Sequence, residues 1–500
     1  MIGRDLRVEE PDQLRTKKIC HRCVRDAYLS HQIRYRGRRA ECSYCAETRA
    51  SYEVGTLADL VDEVIREHFV RTSTEPDSFE WAMLADRESS YNWDRHGEPV
   101  EVVIMNLAEI PDEAATDIQQ ILAPEYFDFE DAKMGEESEY ANDSHYEKRD
   151  RDHTPWDEEW QDFERTLKTE ARFFNRFFAR YLASVFDGID ELTTYDGRPL
   201  VVDAGPGTEL NALYRARVFQ SNESLQDALA RPDLRLGPPP SAKATAGRMN
   251  AHGISVFYGA VDSRVALAEV RPPVGSQVAV ARFEVLRPLR LLDLTAVSKV
   301  AALGSYFDPH FSERLNRALF LRSLSARITQ PVLPDDEPLE YLPTQAVADF
   351  LATESPVRLD GIIFPSAQSR FGPNVVLFQK AARVESIEIP EGTEVTVELG
   401  RMYEEGWERE YSVFEEVPPS NPPLPADGDA PSTLSTIPFL DLSEIGEDSR
   451  SPTLRIMPND LVVHVIKAAR YKTDRHAVSR HRFSKRDFQP GITDFVDFKD

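Results

Sequence analysis

Two groups of residues in this 500-residue chain have types and spacing suited to chemistry. The first is "CHRC" and "CSYC", which set Cys20, Cys23, Cys42 and Cys45 as two C-x2-C pairs with an 18-residue spacer. Each two-residue gap lets both thiolates of a pair reach one tetrahedral ion, and the spacer is long enough for a hairpin or short helix to return the chain. Four thiolates fill the coordination of zinc and leave no position for water, so the expected role is structural. The second group lies in "GRMNAHGISVFYGAVDSRVALAE", residues 247 to 269. Glu269 falls in the helical run "DSRVALAEVR", where Val265, Ala266, Leu267, Ala268 and Val270 leave almost no polar face. A carboxylate on a largely buried helix is costly unless paired. It either forms a structural ion pair with Arg248 or Arg271 or keeps its charge for function.

Glu269 must be held by a framework of short β-like runs at 214–219, 255–260, 278–285, 290–294, 360–366 and 374–378. Helical pieces lie between them, one capped by Asp262 or Ser263 and one starting at Pro343, a mixture that predicts an α+β domain over 205–385. Before it, residues 1–50 form the four-cysteine module and 51–200 a mainly helical region. That region has a helix capped near Thr56 and an acidic connector from Glu125 to Asp152 that is expected to be exposed. Trp160, Phe163, Leu167, Phe174, Phe177, Phe178, Tyr181, Leu182 and Val185 make one broad stripe, which predicts a single long packing helix. Beyond 385 comes a C-terminal extension, 386–500, strand-like at first and then Pro-rich at 417–438. The later run "TLRIMPNDLVVHVIKAARY" is expected to return one or two strands and a helix to the domain.

Composition narrows the function. With 59 basic and 86 acidic residues the net charge is −27, which argues against a surface built to grip phosphate backbones. The local exception is the cysteine spacer, with Arg34, Arg36, Arg38 and Arg39 beside Tyr35, and it reads as a solvated basic face. The start of the chain has no apolar core of the kind a signal peptide needs, and no run of about 18 apolar residues occurs, so a cytoplasmic protein without membrane contact is expected. "VVDAGPGTEL" lacks the third glycine of a dinucleotide fingerprint, Leu210 standing there, and reads as a strand and turn. Phosphate loops, H-E-x-x-H and G-x-S-x-G are absent from the sequence.

Arg248, Met249, Asn250, Gly253, Tyr258 and Glu269, followed far downstream by "IIFPSAQSRFGPNVVLF" with Ser366, Gly372 and Asn374, resemble the RES domain family. The order and spacing agree at both ends, and "LYRARV" at 213–218 resembles the family's opening strand. Met249 and Phe364 replace the aromatic and the Tyr that are usual there, and neither change removes a chemical group of the site. The N-terminus is similar, more loosely, to the HEPN/RES N-terminal domain.

The resemblance implies an ADP-ribosyltransferase-like fold and an activity that destroys NAD, typically as the toxin of a toxin–antitoxin pair. Breaking the nicotinamide–ribose bond builds positive charge on the sugar, and a carboxylate stabilises that charge. Glu269 takes this role, Arg248 holds the pyrophosphate, Tyr258 offers a ring for nicotinamide and Ser366 a hydroxyl for the amide or ribose. Arg215, Arg217, Asn250 and Asn374 complete the expected binding set. NAD as substrate and structural zinc are the expected small partners. An antitoxin or regulatory protein and a second copy of the chain are left open.

Overall fold

The computed structural model describes residues 10–86, 90–150, 155–172, 176–404, 406–418, 448–470 and 473–482. Its main sheet has nine strands: β1 (Val201–Ala204), β2 (Ala212–Phe219), β3 (Phe257–Ala260), β4 (Gln277–Val285), β5 (Leu289–Asp293), β6 (Gly361–Pro365), β7 (Pro373–Leu377), β8 (Leu454–Ile456) and β9 (Val462–Val465). Their order is β8-β4-β2-β3-β7-β6-β5-β1, with β9 also on β4. Only β5 and β6 run parallel. The expected α+β class is what is found, and the C-terminal extension returns two strands as expected. The helix expected after them does not form over the described residues 466–470.

Alternation of side chains along each strand builds two cores. Leu213, Phe257, Phe283, Ile363, Val375 and Leu377 pack on one face, under Leu225 and Leu229. On the other face the apolar surface is divided. Leu292, Ile362 and Val376 meet the helices Phe311–Thr329 and Leu342–Thr353, while Ala216, Ala260, Val278 and Val280 meet Val265 and Ala266 of the helix Ser263–Glu269. The divide follows the strands, since β2 and β3 pair only at Tyr214 and Ala260 and the sheet opens there.

The aromatic stripe forms two helices rather than one, Pro155–Thr169 and Arg176–Val185. Hydrophobic periodicity marks a face and cannot by itself tell one helix from two that share a core. Trp160, Phe163, Leu167, Phe178, Tyr181, Leu182 and Val185 are buried in the same core as Phe320 and Leu292, so these helices belong with the sheet. Phe177 falls off the buried face and is 52% exposed, and Phe174 lies outside the described residues. Most of the Pro-rich 417–438 segment also lies outside them.

In the N-terminal region a three-stranded sheet, Lys18–Cys20, Thr48–Glu53 and Arg38–Glu41, carries the cysteines. Ile19, Leu29 and Ile33 pack with the helix Val54–His68 and with Ile104 and Ile118. That helix starts two residues before Thr56, after Glu53, whose side chain bonds Lys18 at 2.6 Å and does not cap the helix; Val54 N–H donates instead to Lys17 O at 2.9 Å. The acidic stretch is not simply exposed. Tyr140 and Tyr146 are buried, and the strand His145–Lys148 pairs with Phe69–Arg71 and Glu98–Pro99. Glu137 is covered too and bonded by Arg95 at 2.6 Å, while Phe127 and Phe129 are exposed.

Candidate active site

Glu269 is the last residue of its helix, and only Val265 and Ala266 of that helix are buried. The carboxylate is half-buried rather than deep in a core, and the expected ion pair with Arg248 or Arg271 does not form. Its partners are neutral. Ser366 Oγ donates to Glu269 Oε1 at 2.5 Å, and Asn374 Nδ2 donates to the same oxygen at 2.8 Å. Asn374 is buried on β7, and Ser366 follows β6, where its Oγ accepts from the N–H groups of Gln368 (3.1 Å) and Ser369 (3.0 Å). Two donors on one oxygen fix the carboxyl plane and leave Oε2 without a protein donor among the described residues.

The turn before β3 is built around Tyr258. Its hydroxyl donates to Asn250 Oδ1 at 2.9 Å and accepts from Met249 N–H at 2.9 Å, and burial pushes its pKa upward. Asn250 is buried, and its amide donates to the carbonyls of Thr245, Ala251 and Ile254. It therefore positions Tyr258 and does not line the cavity. Gly247 has no room for a side chain, since a Cβ would stand 2.7 Å from Asn250 Oδ1 and 2.9 Å from the Tyr258 hydroxyl. Thr344 Oγ1 and Gln345 Nε2 bond the carbonyls of Arg248 and Gly247 at 2.6 and 2.8 Å, which ties the turn to the helix Leu342–Thr353.

Glu269, Tyr258, Asn374, Arg215 and Arg248 all face one cavity of about 370 Å³, lying over the opening between β2 and β3. The arginines differ in what they have left to offer. Arg248 spends Nη1 and Nη2 on Ile328 O (2.6 Å) and Gln330 O (2.7 Å), at the C-terminal end of Phe311–Thr329, and sits 5.0 Å over the ring of Tyr341. A cation there also suits the helix dipole. Arg215 lies 5.2 Å over the ring of Phe257, and its Nη1 is closed to solvent and has no hydrogen-bond partner. Burial, aided by the neighbouring Arg217, pushes its pKa down to about 10, so it stays cationic at neutral pH. Arg217 points elsewhere: it is exposed, outside the cavity, and donates to Arg235 O.

Among the lining residues that sequence reasoning missed are Glu337, Tyr341 and Gln368. None stands in a pattern that marks it. Tyr341 accompanies Arg248 only because the chain after Phe311–Thr329 folds back, and Gln368 reaches Arg271 at 2.7 Å when its amide oxygen faces that guanidinium.

The four cysteines do converge. Sγ atoms are 3.8 Å apart for Cys20 and Cys23, 3.7 Å for Cys20 and Cys45 and 3.8 Å for Cys23 and Cys42, and all lie within 4.8 Å of one another. A tetrahedron with bonds of about 2.3 Å has edges of about 3.8 Å, so the cluster has the size that one zinc-like ion needs.

A half-buried carboxylate with two neutral donors thus stands in one cavity with a tyrosine and a guanidinium whose Nη1 has no hydrogen-bond partner among the described residues. The family model of the RES domain matches residues 212–399, and this part of the chain is a RES domain. No curated protein and no solved structure matches the chain. No helix among the described residues is long and apolar enough to cross a membrane.

Proposed function

We propose that the chain cleaves the bond between nicotinamide and ribose in NAD and acts as a toxin or defence effector. The observation that carries this reading is the Glu269 carboxylate, with Ser366 and Asn374 on Oε1 and no protein donor on Oε2, in a cavity that Arg215 also lines. As nicotinamide leaves, charge develops on the ribose, and a carboxylate held by two donors stabilises it without reorganising. The pyrophosphate goes to Arg215, which lines the cavity, with Arg248 adding charge from its helix-end position. Tyr258 supplies a ring wall, and Asn250 holds that ring. We read the split sheet as ADP-ribosyltransferase-like on the same grounds, and zinc as the ion that completes the cysteine module.

The acceptor distinguishes three products. Purified full-length protein incubated with NAD, with and without phosphate, is read by chromatography with mass detection. Nicotinamide with ADP-ribose means water, nicotinamide with the 1″-phosphate means phosphate, and a labelled macromolecule means ADP-ribosyl transfer. NAD that stays intact under all conditions contradicts the proposal.

A regulatory role for the N-terminal region rests on one helix. Phe311, at the start of Phe311–Thr329, packs on Tyr306 at 4.6 Å and on His68 at 5.9 Å, while Thr329 at its end lines the cavity. Nineteen residues make a rod of about 28 Å between the two regions. Tyr306→Ala, remote from the cavity, is expected to change nicotinamide release severalfold, and an unchanged rate would remove this role.

A further inference from the structure

Acidic residues outnumber basic ones in the chain, yet residues 21–39 hold six arginines, one acid and no lysine. They run from the first cysteine pair through the helix Ala27–Arg36 into the strand Arg38–Glu41. The one acid, Asp26, is buried and already in use. It accepts from Leu29 N–H at 2.8 Å as the helix cap and from Ser305 Oγ at 2.9 Å. The arginines are exposed, and among the described residues none of their side chains makes a hydrogen bond or ion pair.

Strand pairing gathers part of this charge on one face. His21 N–H donates to Ala50 O at 3.2 Å, and Arg39 pairs with Ala50 from the other side, so the three side chains stand on the same face of the small sheet. The helix lies on that face too, since Ser30 Oγ donates to His21 O at 2.5 Å and the Tyr52 hydroxyl to Gln32 O at 3.5 Å. Leu29 and Ile33 turn inward, and His31, Arg34 and Tyr35, spaced i, i+3 and i+4, share the outer side. All three are exposed, Tyr35 to 72%, and its ring centroid lies 4.4 Å from that of His31.

The helix dipole favours cations in the last turn, which accounts for Arg34 and Arg36. It does not account for a tyrosine left in water between them, nor for Arg39 on the next strand. Both fit a polyanion that carries rings. Guanidinium forks pair with phosphate oxygens, and an exposed aromatic ring gives an unpaired base a face to stack on. An acidic protein segment would use the charges and leave the ring without a partner. The net charge of −27 sums over the whole chain, and salt screens exposed charges more than about 8 Å away.

We propose that the outer side of the helix Ala27–Arg36, with Arg39 beside it, binds single-stranded nucleic acid, with phosphates on the arginines and an unpaired base on Tyr35. The cysteine module holds this surface in shape. The surface does not depend on what happens at Glu269.

Fluorescence anisotropy of the full-length protein tests this with labelled oligouridylate, oligothymidylate and duplex DNA of equal length, and with polyglutamate as an acidic chain without bases. Single strands are expected to bind more tightly than duplex or polyglutamate, and the tighter of the two single strands tells RNA from DNA. Affinity is expected to fall as salt rises, with a log–log slope of about 0.7 per phosphate contact. Arg34→Gln with Arg36→Gln should lower affinity about tenfold or more and flatten that slope by about one or more. Tyr35→Ala should lower affinity about tenfold and leave the slope unchanged. All three positions are exposed, so the fold is kept. Arg165→Gln, which removes one charge from an exposed arginine paired with Asp162 and Glu170, should change neither quantity. No binding of either single strand at low salt would overturn the proposal. So would affinity unmoved by the double variant, an equal loss in Arg165→Gln, or duplex or polyglutamate bound as tightly as the single strands.

Discussion

The cysteine cluster and the Glu269 cluster each gather a few donor groups within hydrogen-bond or ligand distance, yet they are built for opposite ends. The cysteines come from positions at most 25 apart, their sulfurs point at one another, and an ion between them would be coordinatively full. Glu269 meets Ser366 and Asn374 across 97 and 105 positions, and one carboxylate oxygen is left over in a cavity. A saturated set of groups holds a fold together. An unsaturated set, kept rigid by neighbours that are themselves satisfied, is where chemistry can take place.

This contrast can be broken at several points. The largest effect is expected on the saturated side, where Cys42→Ser or a strong chelator should release the metal and open residues 18–53 to proteases, because metal binding at such sites is folding free energy. Metal analysis of the untreated protein should give one zinc per chain, and a protein that resists proteolysis without metal would show that the module folds on its own. Next comes Arg215→Ala: if Arg215 is the proposed pyrophosphate partner, its loss costs about 1.5–3 kcal/mol and should raise the KM for NAD by tenfold or more with a smaller change in kcat. Arg248→Ala should behave differently, since its nitrogens serve Ile328 and Gln330. A fall of several degrees in Tm with a smaller change in KM is expected. If the two arginines exchanged these effects, the assignment of the phosphate anchor would be reversed. The smallest effect should come from Asn250→Ala, which leaves Met249 N–H its bond to Tyr258 but unpairs the tyrosyl hydroxyl, at a cost of about 1–3 kcal/mol in unfolding free energy by denaturant titration.

How much of this was legible in the sequence depends on how far apart the partners lie. The cysteine spacing carries its own geometry, and Arg248, Tyr258, Glu269, Ser366 and Asn374 stand in an order that brought them together on paper as they are in space. The six β-like runs expected between 214 and 378 all became strands, because alternating apolar residues are a local signal. Three things were not legible. Arg215 and Arg248 look alike as residue types, and only the carbonyls at the end of Phe311–Thr329 show which of them is already occupied. The helices Pro155–Thr169 and Arg176–Val185 share the sheet's core rather than that of the cysteine module, a choice made by packing and not by pattern. The acidic stretch hid Tyr126 and Tyr140, whose hydroxyls are held by Asp62, 64 and 78 positions away.

Glu269→Gln is the most direct test of the central claim, because glutamine keeps the size and the hydrogen bonds from neutral donors while removing the charge. Nicotinamide release from NAD should fall about a thousandfold, with Tm and KM little changed, as for loss of a group that acts mainly on the transition state. Release at the wild-type rate in Glu269→Gln would show that the carboxylate is not where the reaction is driven.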